Sequence, residues 1–222
     1  MTDVLAPVSA VADVLALWGY DGWLTPPLAP VVRSASVVRG RALTVQVAAG
    51  DTGPGLAGIY DVLSGDLADR VVVIAGAEEV PGAVFGEILA AAADGQGAVG
   101  VLVEGWVRDR VDMEAIGMPV LARGERVVGP NGGAHLVAVD TEVTIDQVVV
   151  ASGDTIVIDG SGCVRVPAAV ADRVLDGARR YAAAEALVSL ALAEGEPLTS
   201  AYRHKKSAIA ELAGANPRTE RG

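Results

Sequence analysis

The stretch FGEILAAAADGQGAVGVLVEGWVRD, residues 85–109, decides how the chain is read. Its first half has helical spacing, extends upstream through PGAVFGEILAAAADG from about Pro81, and stops at Gly95. Its second half, GAVGVLVEG, is an apolar run of the length and composition of a buried strand. Beyond the strand a turn at Gly105–Trp106–Val107 leads to an adjacent Arg108 and Asp109.

Working outward, the same alternation recurs. Upstream, Ala10–Trp18 reads as a short helix closed by Gly19, and Arg41–Val47 alternates as a strand ending near Gly50 and Asp51. GLAGIYDVLSG (55–65) has helical spacing, and RVVVIAGA (70–77) is a short buried strand. Strand alternating with helix predicts an α/β architecture. After Asp109 the pattern changes to short strands within 117–130 and 142–167, where DGSG (159–162) is a hairpin turn. GPNGGAH (129–135) reads as a turn, with His135 structural or exposed. Residues 168–192 form the longest helix candidate, with Glu185 on its surface or at a subunit contact. We expect one α/β domain over 1–195 and a polar C-terminal tail with helical potential over 196–222.

Composition narrows the chemistry. The chain has 222 residues, 51% of them hydrophobic and only 4% aromatic, with 27 glycines, which suits an aliphatic core joined by tight turns. A net charge of −11 argues against a nucleic-acid groove or an anionic membrane surface, both of which need a cationic face. The N-terminal segment has no basic start and Asp13 breaks its apolar run, so neither a signal peptide nor a membrane span is expected, and the reading is cytoplasmic. Cys163 is the only cysteine, which excludes an intrachain disulfide and a multi-cysteine zinc site. The only lysines, Lys205 and Lys206, lie in the tail, far from any pocket suited to a Schiff base. No phosphate-binding GK[ST] loop, HExxH or GxSxG motif occurs. Carboxylates, arginines and a metal remain.

Arg108 and Asp109 therefore have two readings on spacing alone. They are an exposed ion pair, or they form a site at the carboxyl end of a strand, where α/β sheets collect ligands. In the second case the aspartate would give a hard cation one or two oxygens and the arginine would hold an anion. Glu87 is a further acidic candidate near a helix start that favours anions.

The 85–109 stretch resembles the signature of the family containing 4-hydroxy-4-methyl-2-oxoglutarate aldolases and the regulator of ribonuclease E activity A. MPVLARG (118–124), SGDTIVIDGSGCVRVP (152–167) and VRGRALTVQVAAGDT (38–52) resemble further segments of that family, so the similarity spans roughly residues 10–195. The resemblance implies a swivelling β/β/α domain, a homotrimer or hexamer with sites between subunits, and a lyase acting on a 2-oxo acid. That reaction would be retro-aldol cleavage or oxaloacetate decarboxylation through a pyruvate enolate. By the same resemblance Gly86, Glu87, Ile88, Leu89 and Arg108 would contact substrate, and Asp109 would bind Mg²⁺ or Mn²⁺, with Arg108 and Asp109 carrying catalysis. Two alternatives stay open: a non-catalytic protein-binding regulator of a ribonuclease, and a pathway enzyme that reuses the metal site for another reaction. The regulator branch lacks the aspartate corresponding to Asp109, whose presence here favours an enzyme. Departures from the family pattern at Glu104 and Thr52, and the bulky Trp106, make Glu104, Asp51 and Trp106 candidates for shaping the surroundings of the site. Asp154 and Asp159 read as turn caps.

Overall fold

The computed structural model describes residues 5–24, 27–53 and 55–218, which fall into two compact units, Met1–Gly22 with Ala169–Gly222 and Trp23–Ala168. Among the described residues no helix is long and apolar enough to cross a membrane.

The unit Trp23–Ala168 is built on an eight-stranded mixed sheet that is nearly closed and barrel-like. Its middle is parallel: β2 (Val38–Ala49), β3 (Arg70–Ala75), β4 (Gly100–Val107) and β5 (Val120–Glu125) pair in that order. β1 (Ala29–Val32) joins β5 antiparallel. β2 is long enough to take two antiparallel partners on one side: β9 (Thr155–Asp159) pairs with its start and β6 (Ala134–Val139) with its end. β10 (Gly162–Val166) returns on β9 through the expected Asp159–Gly162 turn. A separate two-stranded ribbon is made by β7 (Val143–Ile145) and β8 (Val148–Val150).

Alternation along the strands sorts the core into two layers, because successive side chains face opposite sides of a sheet. Val72 and Ile74 of β3, Val101 and Val103 of β4, and Val120 and Ala122 of β5 face a layer with Ile59, Leu63, Ala90 and Met113. These last four come from α2 (Ala57–Leu63), α3 (Glu87–Gly95) and α4 (Arg110–Ile116). On the other side, Val71, Val73, Leu102 and Leu121 meet the ribbon residues Val143, Ile145, Val148 and Val150. Ribbon, sheet and helices form the β/β/α arrangement that the resemblance implied.

Three local expectations are corrected. The helix expected from Pro81 begins at Glu87, because residues 83–85 are drawn into extended pairing: Ala83 N–H donates to Val128 O at 2.8 Å and Val84 N–H to Trp106 O at 3.0 Å. Gly105–Trp106–Val107 is not a turn but the end of β4. It is held on one side by Gly124 and Glu125 of β5 and on the other by Phe85. The turn near His135 closes earlier, with Gly133 N–H donating to Pro130 O, so His135 lies in β6 opposite Ala48. The helix α4 was not anticipated.

The other unit is helical: α1 (Val8–Leu17), α5 (Ala171–Ala193), α6 (Leu198–Ala201) and α7 (Arg203–Gly214). α5 lets its neighbours approach at Gly177, where a Cβ would meet Val14 and Leu212 at 3.2 and 3.3 Å. The Trp18 indole N–H donates to Leu212 O at 2.8 Å. Lys205 donates to Glu185 at 2.7 Å and lies over the Tyr181 ring, and the carboxylate raises its pKa. This lysine ties α7 to α5 and serves no reactive pocket.

Asp154 is buried and accepts from Ala151 N–H, Ala168 N–H and the Arg165 Nε–H, so it fixes the turn before β9 as expected. Asp159 accepts from Ser161 N–H in the hairpin. Asp154→Ala should cost about 2–5 kcal/mol by orphaning three donors. A urea titration should show the midpoint falling with an unchanged slope.

Candidate active site at the carboxyl end of β4

The sheet ends that converge here are made by a short parallel pairing. Phe85 bridges Val107, and the Arg108 N–H donates to Phe85 O at 3.0 Å. That pairing brings Gly86 and the first turn of α3 beside Arg108 and Asp109, although more than twenty residues separate them in sequence. Gly86 is extended, a conformation open to any residue, so its backbone angles do not require glycine. The requirement is space: a Cβ there would lie 2.8 Å from Asp109 Oδ2 and 3.0 Å from Arg108 Cγ.

Asp109 occupies the N-cap position of α4, yet its side chain makes no capping hydrogen bond and its backbone is left-handed at φ 60°. Aspartate tolerates this conformation better than most residues, but an N-cap normally uses an extended backbone and spends its carboxylate on the helix. Here the carboxylate is turned to Gly86 and to Arg108 Nε, 3.2 Å away. The pair is 45% and 40% exposed, a setting in which an ion pair contributes on the order of 0–1 kcal/mol at most. Stability alone therefore gives little reason for the close glycine and the left-handed aspartate.

Arg108 and Asp109 open on a cleft of about 410 Å³. Gly86, Ile88 and Leu89 line it, together with Leu56, Ile59, Tyr60 and Leu63 of the α2 region and Pro130. The N–H groups of Glu87, Ile88 and Leu89 belong to the first turn of α3, where no intrahelical acceptor exists, and they favour an anion. Of the expected substrate contacts, Gly86, Ile88, Leu89 and Arg108 line the cleft; Glu87 begins α3 between them, with its side chain outside the lining.

The residues expected around the site, Glu104, Asp51 and Trp106, do not line the cleft themselves. Glu104 is buried, accepts from Gly76 N–H at 2.7 Å and Asp146 N–H at 3.3 Å, and stands 3.8 Å from Arg123. Arg123 in turn pairs with Asp146. Trp106 packs under Arg126, whose guanidinium is 4.1 Å from the ring centre, while Arg126 donates to Pro81 O. Trp106 thus braces the segment leading into Gly86 from outside the cleft. Asp51 is exposed beyond β2 and does not line the cleft. Cys163 is remote on β10, and burial pushes its thiol up to about 12, which keeps it unreactive.

Among the described residues no three His, Cys, Asp or Glu side chains converge, so a cage of protein ligands is not formed. Asp109 offers one half-exposed carboxylate beside an open cleft. That suits a hard cation such as Mg²⁺, which keeps several waters and takes its other oxygens from a ligand.

A family profile described as RraA-like, Aldolase/RraA, matches residues 8–165. The chain belongs to the RraA-like family. A protein of Halalkalibacterium halodurans, named as a candidate 4-hydroxy-4-methyl-2-oxoglutarate aldolase, is 27% identical over 201 residues, covering 90% of each chain. An uncharacterized Pseudomonas syringae protein of known structure is 28% identical, with a TM-score of 0.79 over 89% of each chain. Streptomyces coelicolor RraAS2, described as an unusual member of the RNase ES inhibitor RraA family, is 22% identical with a TM-score of 0.68, covering 77% of this chain and 85% of that one. The chain is thus similar in sequence to a protein named as an aldolase and in fold to a member of an inhibitor family, and a shared fold does not fix function.

The α2 side of the cleft was not legible beforehand. The helical spacing of 55–65 is visible in the sequence, but not that residues of this helix line one cleft with Arg108. Gly86→Ala should push the Asp109 carboxylate aside while sparing the core. Titration with Mn²⁺ should then show affinity reduced about tenfold or more, the scale on which support of a metal ligand acts. Melting temperature should move by only a few degrees, roughly the response to 1 kcal/mol or less.

Proposed function

We propose that the protein is a divalent-metal-dependent lyase acting on a 2-oxo acid, by retro-aldol cleavage of a 4-hydroxy-2-oxo acid, by oxaloacetate decarboxylation, or by both. The observation that carries this reading is Asp109, an N-cap residue whose carboxylate is withheld from its helix and set between Gly86 and Arg108 at the cleft. Asp109, largely through water, would hold Mg²⁺ or Mn²⁺, and such an ion supplies Lewis acidity toward the adjacent carboxylate and keto oxygens of a 2-oxo acid.

The chain's own groups account for the rest. The first-turn N–H groups of α3 receive the substrate carboxylate. Arg108 faces the keto oxygen, where negative charge grows as the bond from C3 to C4 breaks. In retro-aldol cleavage the C4 hydroxyl gives its proton to water, the C3–C4 electron pair passes into the enolate of pyruvate, and water returns a proton to C3. In decarboxylation of oxaloacetate the same electron pair is released by loss of carbon dioxide, and the same protonation follows. Arg108 and Asp109 therefore act in both reactions. In this reading the active form is a cytoplasmic homotrimer or hexamer.

A protein-binding regulator of a ribonuclease is the competing reading, favoured by the fold of RraAS2. It gives no role to the uncommitted Asp109 carboxylate, which is why the enzyme is preferred. Purified protein should decarboxylate oxaloacetate with added Mg²⁺ or Mn²⁺ and lose that activity with chelator. Asp109→Ala and Arg108→Ala should each lower kcat/KM by about 10²-fold or more, the usual scale for removing a transition-state charge partner. Turnover no faster than metal alone, from folded protein, would sink the lyase reading.

A further inference from the structure

The lining of the cleft is of two chemical kinds. One is charged: Arg108 and Asp109, beside the start of α3. The other is a largely apolar wall: Leu56, Ile59, Leu63, Ile88 and Leu89, with the ring of Tyr60. Of the described residues that line the cleft, Arg108 is the one cation, and it is paired with Asp109 at 3.2 Å. The side-chain hydroxyls of the lining are those of Tyr60 and Ser64, and the Ser64 hydroxyl donates to Tyr60 O at 2.7 Å. Ile59 and Leu63 are almost fully buried and belong to the main core, which fixes the wall in place. Ile88 and Tyr60, by contrast, are 73% and 60% exposed, an unusual setting for such side chains around a polar site.

A 2-oxo acid held by its carboxylate and keto oxygen at Arg108 and Asp109 has its remaining carbons among leucine, isoleucine and tyrosine side chains. A second carboxylate there would lie against apolar carbon and meet no further cation among the described lining residues. An alkyl or aryl group would instead be removed from water against a matching surface.

We propose that the substrate is a 4-hydroxy-2-oxo acid whose C4 substituent is apolar, aliphatic or aromatic, and that the Leu56–Leu63 wall sets this preference over a dicarboxylic substrate. The proposal rests on the lyase reading above. Retro-aldol cleavage of such a compound yields pyruvate and an apolar aldehyde or ketone. An upstream reaction must therefore supply the 4-hydroxy-2-oxo acid, such as addition of water across the C4–C5 double bond of a 2-oxo-4-enoic acid, with the hydroxyl going to C4 and the hydrogen to C5.

Calorimetric titration of the full-length protein with Mg²⁺ present tests this through stable substrate mimics, without turnover. Pyruvate, 2-oxobutanoate, 4-methyl-2-oxopentanoate, 2-oxo-4-phenylbutanoate and 2-oxoglutarate are compared. Affinity should rise along the apolar series by up to about fourfold per methylene that becomes buried. 2-Oxoglutarate should bind at least about tenfold more weakly than 4-methyl-2-oxopentanoate, for want of a partner for its second carboxylate. Tyr60→Arg, a change at an exposed position, should narrow or reverse that ratio, and 4-hydroxy-4-methyl-2-oxoglutarate should gain in kcat/KM relative to 4-hydroxy-2-oxohexanoate. If wild-type protein binds 2-oxoglutarate as tightly as the apolar acids while oxaloacetate is turned over, the substrate proposal is wrong and the lyase reading stands. If no 2-oxo acid binds and oxaloacetate is untouched, both fall together.

Discussion

Everything at the cleft depends on one close approach: the backbone of Gly86 against the side chains of Arg108 and Asp109. It is made possible by the absence of a Cβ and enforced by the Phe85–Val107 pairing just before it. A side chain at 86 would collide with the Asp109 carboxylate, and loss of the pairing would free α3 to begin earlier and point elsewhere. The neighbouring features serve the same contact. Arg126 braces Trp106 and holds Pro81, while Val128 O receives the Ala83 N–H, so the segment entering Gly86 is held from both sides.

The charged groups of this unit divide into those that hold the fold and those left over. Glu104, Arg123, Asp146, Asp154 and Arg165 are buried or nearly so and are engaged with backbone donors or with each other. These contacts offset part of their cost of desolvation, although Asp146 Oδ2 is buried without a hydrogen-bond partner. Arg108 and Asp109 are different: half-exposed, paired only loosely, and placed by a left-handed residue where a helix cap would ordinarily form. A structural role would not select that geometry, and its coincidence with a helix N-terminus and a cleft is what makes it a candidate site.

The departures from the family pattern take on a different meaning in three dimensions. Glu104 and Trp106 sit two residues apart near the end of β4 and were expected to shape the pocket. Both point into the scaffold instead, Glu104 to Gly76 and Asp146, Trp106 to Arg126. In the substrate proposal the selectivity of the cleft falls to residues 56–63, which belong to no recognisable motif. Motif residues are shared because the common chemistry needs them; a wall that reads the rest of a substrate has no such constraint on its sequence.

The sequence by itself determined the strand–helix alternation, the buried strands β3 and β4, the Asp159–Gly162 hairpin, and Arg108 and Asp109 as the pair to watch. Those are local properties: period, turn chemistry, and residue type at short spacing. Only the tertiary structure decided where α3 begins, that residues 105–107 are strand, that His135 is in a strand, and that α2 shares a cleft with the charged pair. Each of these is set by partners distant in the chain: Trp106 and Val128 for the start of α3, Gly124 and Glu125 for the end of β4, Ala48 for His135. Backbone hydrogen bonds must be satisfied wherever the chain is buried, and which segment satisfies them is a non-local choice that residue spacing does not encode.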